Sequence, residues 1–272
     1  MLIDMVGRKI LLVVAIYPEK IQKIFNEFIS PRNKEYALKH NYEYIEITDK
    51  KQIKKKIQQR RENPSWTNFL LYDDWIDNGE INNGDIIVTL DADMYMVNMD
   101  HDFATNKSFT YSIDSGNTHC MGWHSIKINE WSKQLVKNIV SDERYEKFKH
   151  LTNHDGLSFW GIWSEQASWY SLAGITMHSD IPYFQIKDFG WNSDSQQDPQ
   201  YTPRELYEHV EIKHTKYNVT EWPGESNCDY NINKLSNPKD VILRHFVSGQ
   251  LWNDQMIDSG NYINLINRWK HV

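Results

Sequence analysis

Residues Asp85 to Asn98 read DIIVTLDADMYMVN, and no other stretch narrows the choice of fold as far. After the turn-forming Asn82-Asn83-Gly84-Asp85, the run Ile86-Ile87-Val88-Thr89-Leu90 is short, β-branched and almost wholly apolar. Such a run, bounded by turn residues, predicts a strand buried on both faces, as in α/β proteins. Two carboxylates follow it at once, Asp91 and Asp93, with Ala92 between them. A buried strand that ends in acids places them at the edge of its sheet, where open α/β folds bind ligands. Like charges in such a site repel, so the pair calls for a counter-charge. A hard divalent cation with oxygen ligands, Mn²⁺ or Mg²⁺, meets that demand and in turn holds a diphosphate. On extended backbone, residues i and i+2 point the same way, which predicts that both acids face one ion. The competing reading is a capped turn, with Asp91 or Asp93 bonded to nearby backbone N–H groups.

Around this stretch the chain alternates in the α/β manner. Lys9 to Tyr17 reads as an opening buried strand. Pro18 starts a helix to about Ile29, with Ile21, Ile24, Phe25 and Phe28 on one face, and Pro31 is expected to break it. Asn33 to His40 forms a second helical piece and Tyr42 to Ile47 a strand. Lys50 to Arg61 is rich in lysine and arginine, read as a solvated face or as a patch for an anionic partner. Pro64-Ser65 opens an amphipathic helix that Asn78-Gly79 stops, with Asp73 and Asp74 placed on its solvated side. Ser108 to Ile113 alternates as a strand, and Met121-Gly122-Trp123 leads toward a helix near Asn129. Trp160 to Ala173 reads as helix, Asp188 to Asn237 as loop-rich, Val241 to Val247 as a buried strand, and Asp258 to Trp269 as a closing helix.

The 272 residues suffice for one large domain or two small ones, and 40% hydrophobic residues supply a core. The aromatic content of 13% suits sugar-stacking surfaces as well as cores. A net charge of −7 argues against a general nucleic-acid coat. Two cysteines, Cys120 and Cys228, imply no disulfide framework. No stretch approaches the ~20 apolar residues of a membrane span, so the chain reads as a soluble, cytoplasmic protein.

Among other candidates for chemistry, His245 stands late in an apolar strand. Alone it reads as a core histidine; beside a cation on Asp91 and Asp93 it becomes the third ligand. Gly249 permits close backbone approach to a phosphate. His119, Cys120 and His124 lack the second pair that zinc spacing requires, and read as pocket-lining or packing residues. Glu165 and Gln166, among Trp163, Trp169 and Tyr170, offer a carboxylate and an amide to sugar hydroxyls, or else form an exposed first helical turn.

In this order, the segments Asn33-Lys34-Glu35-Tyr36-Ala37 with His40 and Tyr42, Ser65-Trp66, and DIIVTLDADMYMVN resemble the galactosyl-, mannosyl- and xylosyl-transferases of glycosyltransferase family 34. Glu165-Gln166-Ala167 resembles the family's Asp-Gln-Ala segment with Glu in place of Asp. Arg244-His245-Phe246, followed by Gly249, resembles its late metal-binding histidine. The resemblance implies a GT-A fold: one Rossmann-like α/β domain with a mixed sheet flanked by helices, residues about 1–98 binding the nucleotide and about 99–272 the acceptor. It implies retaining transfer of a hexose or pentose from a UDP- or GDP-sugar to a hydroxyl of a glycan or other acceptor. A modified nucleic-acid acceptor is the less favoured case. Asp91, Asp93 and His245 would hold Mn²⁺ (or Mg²⁺), and Glu165 and Gln166 would hold donor hydroxyls. Tyr17 would stack on the base, with Asn33 and Gly249 also lining the nucleotide. The alternatives are a nucleotidyltransferase or other metal-dependent nucleotide enzyme, with Asp114 as a further acid, and a non-catalytic sugar-binding module.

Overall fold

Strand β1, Lys9–Val14, sends Ile10 and Leu12 into one apolar cluster and Leu11 and Val13 into another, on the opposite face. A strand buried on both faces needs helices above and below it, and the chain supplies them. The computed structural model describes residues 7–59, 64–113, 119–148, 164–174, 199–213, 216, 219–220, 241–246 and 254–270. Beside β1 lie β2, Glu43–Ile47, and β3, Ile86–Asp91, both parallel to it. Next come β6, His119–Lys127, and β5, Phe109–Ile113, successively antiparallel, then β7, Val210–Lys213, parallel to β5. The result is a mixed six-stranded sheet, β2-β1-β3-β6-β5-β7. A three-stranded sheet, β4-β9-β8, is built from Met94–Met96, Leu243–His245 and Val219–Thr220. The expected α/β class, with a mixed sheet between helical layers, is what the chain forms.

One face of the large sheet packs on α3, Thr67–Asp77, α4, Glu130–Ile139, and α5, Ser164–Ala173. The other packs on α1, Glu19–Ile24, and α2, Ser30–His40. Pro31 does not break this second layer. Between α1 and α2 runs a π-helical turn, Phe25–Ile29, in which the Ser30 N–H bonds to the Phe25 carbonyl five residues back. Pro31 thus falls in the first turn of α2, where its missing N–H and its ring are tolerated. The helix ends only at Asn41, in the left-handed conformation with φ 57°.

Four further expectations change. Met121-Gly122-Trp123 belongs to β6 and does not lead straight into a helix, although the helix itself starts where expected, after Asn129, which caps it. The polar stretch after Asp188 contains a helix, Pro203–His209, capped by Thr202. The closing helix is two, Asp254–Ser259 and Asn261–Lys270, parted by Gly260 at φ 68°. Asp74 is 2% exposed, not solvated, and lies 2.5 Å from both the Lys54 and Lys56 ammonium groups. Burial alone would raise its carboxyl, but the hydrogen bonds from Lys54 and Lys56 outweigh burial and hold it below the usual carboxylate range. Part of the basic run is therefore tied down. Asp114, Trp160 to Trp163 and Gly249 lie outside the described residues. No helix among the described residues is long and apolar enough to cross a membrane.

Candidate active site

The register of β1 and β3 sets Val14 beside Asp91, so β3 delivers Asp91 to the carboxyl edge of the parallel strands. The backbone does not stay extended there. Ala92 and Asp93 form a turn that carries the chain into β4 and the small sheet. The i, i+2 alternation of a strand is thus not what unites the two acids; the turn is. β4 pairs antiparallel with β9, Met94 opposite His245, and the Phe246 N–H bonds to the Asp93 carbonyl at 3.0 Å. Strand pairing therefore brings His245, distant in sequence, onto the acidic pair.

His245 Nε2 lies 3.2 Å from Asp93 Oδ1 and 3.9 Å from Asp91 Oδ2. One ligand atom from each of the three residues fits within 4.8 Å of the others. Ligands about 2.1 Å from a six-coordinate ion stand roughly 3–4 Å apart, so this donor set fits a small divalent cation. Two hard carboxylates and one imidazole suit Mn²⁺ or Mg²⁺, the imidazole favouring Mn²⁺. His245 is 5% exposed, while the Asp91 side chain is 46% exposed and marks the open side.

The electrostatics are those of several carboxyl groups gathered around one imidazole. Partial burial, then the charge of Asp93, push the Asp91 carboxyl above the usual carboxylate range, with Glu165 adding to the effect and His245 opposing it. Burial would lower the His245 imidazole, but the charge and hydrogen bond of Asp93, with a smaller contribution from Cys120, hold it well above its ordinary value. The imidazole cation and the Asp93 carboxylate thus stabilise each other.

Glu165, in the first turn of α5, is near enough to act on Asp91, and burial raises its carboxyl while Ser65 and backbone N–H groups oppose. Its Oε2 is buried without a hydrogen bond. Gln166, 5% exposed, uses Oε1 to accept the Met121 N–H at 2.9 Å, so its carbonyl end grips β6. Tyr17, 37% exposed, lines a shallow depression with Gln22, Asn26 and Thr48, beyond the carboxyl ends of β1 and β2. Asn33 sits fully buried in α2, beside Ser30, Tyr44 and Glu46.

His119 and His124 do not converge on a metal. The Nδ1 of His119 pairs with the Tyr111 hydroxyl at 2.8 Å. His124 uses Nδ1 toward the Met121 carbonyl at 2.9 Å and Nε2 toward the Tyr72 hydroxyl at 2.8 Å. Tyr72 also bonds to Thr89, and burial holds both histidines neutral, near pKa about 4. Cys120 alone of the three approaches the site, against His245.

Sequence reasoning missed Gly122. A Cβ built on it would stand 2.6 Å from His245 Cε1, 3.1 Å from His245 Nδ1 and 3.1 Å from Asp91 Oδ2. The available signal was a glycine inside a strand, which marks a bulge or a close approach. The polar, histidine-rich sequence around it disguised the strand itself.

No protein-family model matches the sequence, and no curated protein matches it. Among solved structures the chain is similar to a glycosyltransferase involved in the glycosylation of the major capsid of PBCV-1, at 10% identity and TM-score 0.48, over 97% of this chain and 100% of that one. It is also similar to the glycosyltransferase GlyE of Streptococcus pneumoniae TIGR4, at 12% identity and TM-score 0.40, over 96% of this chain. This chain spans 56% of the GlyE structure's length.

Proposed function

We propose that this protein is a metal-dependent glycosyltransferase that moves a sugar from a nucleoside-diphosphate sugar to a hydroxyl acceptor. The observation that carries the reading is the convergence of Asp91, Asp93 and His245 within 4.8 Å, at the carboxyl edge of a parallel strand. That edge is where open α/β sheets bind nucleotides, and a carboxylate–imidazole set suits a cation that bridges a diphosphate. Mn²⁺ or Mg²⁺ held there would neutralise charge that develops on the departing diphosphate.

The chain's own residues account for the rest. Asp91 and Asp93 supply the negative charge that holds the cation, and His245 completes the set from the buried side. Glu165, close enough to act on Asp91, would accept hydrogen bonds from donor-sugar hydroxyls, and Gln166 holds β6 through the Met121 N–H. Tyr17 and the depression around it offer a flat, half-exposed surface for the base, at the carboxyl ends of β1 and β2. Residues about 1–98 then serve the nucleotide and about 99–272 the acceptor. Retention of configuration and a UDP- or GDP-linked donor follow the family 34 resemblance.

The test is release of free nucleoside diphosphate from UDP- and GDP-sugars with and without Mn²⁺. Metal-dependent release from one donor, absent in Asp93→Ala, is expected. Release that survives Asp93→Ala, or none with any donor, sinks the proposal.

A further inference from the structure

β6 departs from regular pairing at one place. Tyr111 of β5 lies opposite His124 while its neighbour Ser112 lies opposite Cys120, so Met121, Gly122 and Trp123 bulge out of that ladder. On the other side β6 keeps its register with β3, Leu90 opposite Trp123 and Thr89 opposite His124. The bulge thus faces the end of β3, where Asp91 stands. It is held through both backbone polar groups of one residue: the Met121 N–H by Gln166 Oε1, and the Met121 carbonyl by His124 Nδ1. His124 is itself fixed, since Nδ1–H donating to a carbonyl leaves Nε2 to accept from the Tyr72 hydroxyl. Thr89 on β3 closes the chain of bonds at Tyr72. A bulge so anchored cannot retreat without breaking a buried network.

From this we infer that Gly122 is a positioning residue for the Asp91–Asp93–His245 centre: its bare Cα is the space in which the His245 ring lies. The inference rests on the metal-site reading proposed above and adds what decides whether that site can form. The backbone of Gly122 does not need a left-handed conformation, so an alanine there meets no strain of its own. The conflict is with side-chain atoms, chiefly His245 Cε1 at 2.6 Å. A side chain can turn away where backbone cannot. The added methyl is therefore relieved by rotation of the imidazole off the two carboxylates, at the expense of the site and not of the sheet.

The experiment titrates Mn²⁺ by the electron paramagnetic resonance signal of the free ion. It uses the unaltered protein, Gly122→Ala, His245→Ala, Asp93→Ala and the double variant Gly122→Ala/His245→Ala, each also melted thermally. Gly122→Ala is expected to weaken Mn²⁺ binding about 10- to 100-fold, the range for losing a residue that orients a ligand. Its melting temperature should stay within about 4 °C of the unaltered protein. In the His245→Ala background the same glycine change is expected to have a much smaller further effect, because its closest collision partner is gone and only the 3.1 Å approach to Asp91 Oδ2 remains. Unchanged Mn²⁺ affinity in Gly122→Ala overturns the inference while leaving the metal reading intact, as does an equal additional loss in the double variant. Should Gly122→Ala fold poorly, recovery of folding in the double variant supports the inference and continued misfolding overturns it. Equal Mn²⁺ binding by the unaltered protein and Asp93→Ala overturns the metal reading and this inference with it.

Discussion

Acid should unfold this protein through two buried histidines that are not among the proposed metal ligands. His119 and His124 are 3% and 1% exposed, bonded to Tyr111 and to Tyr72 and the Met121 carbonyl, and burial lowers each from 6.5 to about 4. In the unfolded chain both take up protons near pH 6.5, while the native state resists until about pH 4. Within that window the unfolded state binds more protons, so stability is fully present above 6.5 and is lost as pH falls toward 4. A displacement of this size corresponds to about 3 kcal/mol per histidine, with a slope of about 1.4 kcal/mol per pH unit in mid-window. Asp91, with its raised carboxyl, runs the opposite way, so total slope is not the test; a difference of slopes is. His124→Gln keeps a neutral side chain able to hydrogen-bond and removes one of the two titrations. Urea unfolding at closely spaced pH values from 7 to 4.5 should show the variant losing less stability on acidification. The divergence should reach about 2–3 kcal/mol, or roughly 1 M in urea midpoint. Parallel pH profiles for the two proteins would refute the reasoning, whatever their absolute stabilities.

Other outcomes follow from single side chains. Asp74→Asn should destabilise by about 1–2 kcal/mol, less at high salt, because Asp74 is buried and its lysine partners are half exposed; urea melts at low and high ionic strength check this. Tyr17→Ala should weaken nucleotide binding several-fold without altering Mn²⁺ affinity, measured by calorimetry with each ligand in turn. Phe109, fully buried among Phe69, Tyr111, His124 and Trp169, should cost about 3–5 kcal/mol when truncated to alanine, read from thermal or urea unfolding.

The parts of this architecture that were legible in the sequence are those whose information is local. Ile86 to Leu90 and Lys9 to Val14 announce two-faced burial because every residue in them, Lys9 and Thr89 aside, is apolar. The acids after Leu90 announce a site because nothing in a core would otherwise tolerate them. β6 was illegible for the opposite reason. His119 and His124 are buried polar residues whose partners, Tyr111 for one and Tyr72 for the other, come from β5 and α3. No pattern along the chain shows that those hydrogen bonds exist. Pro31 misled because a proline is read against an α-helical ladder, and a π-helical turn supplies a different one. Asp74 misled because its lysine partners lie in a segment of another period. His245 was visible only as a candidate; what makes it part of a site is the pairing of β4 with β9, a contact between distant segments. Gly122 carried the least signal, since its role is the absence of a side chain against residues far away in sequence.

The central claim is that Asp91, Asp93 and His245 hold a cation through which a nucleotide-sugar is bound, and a thermal-shift panel tests it most directly. UDP-, GDP-, TDP- and CMP-sugars are each added with and without Mn²⁺ to the unaltered protein and to Asp93→Ala. A ligand at about 100 times its Kd stabilises the native state by about 2.7 kcal/mol, which for a chain of this size raises Tm by roughly 5–10 °C. The account predicts such a shift for one nucleotide only, in the presence of Mn²⁺ only, and its loss in Asp93→Ala. A shift that ignores Mn²⁺ or survives in Asp93→Ala contradicts the account, and no shift with any donor leaves Asp91 and Asp93 as the ends of a structural turn.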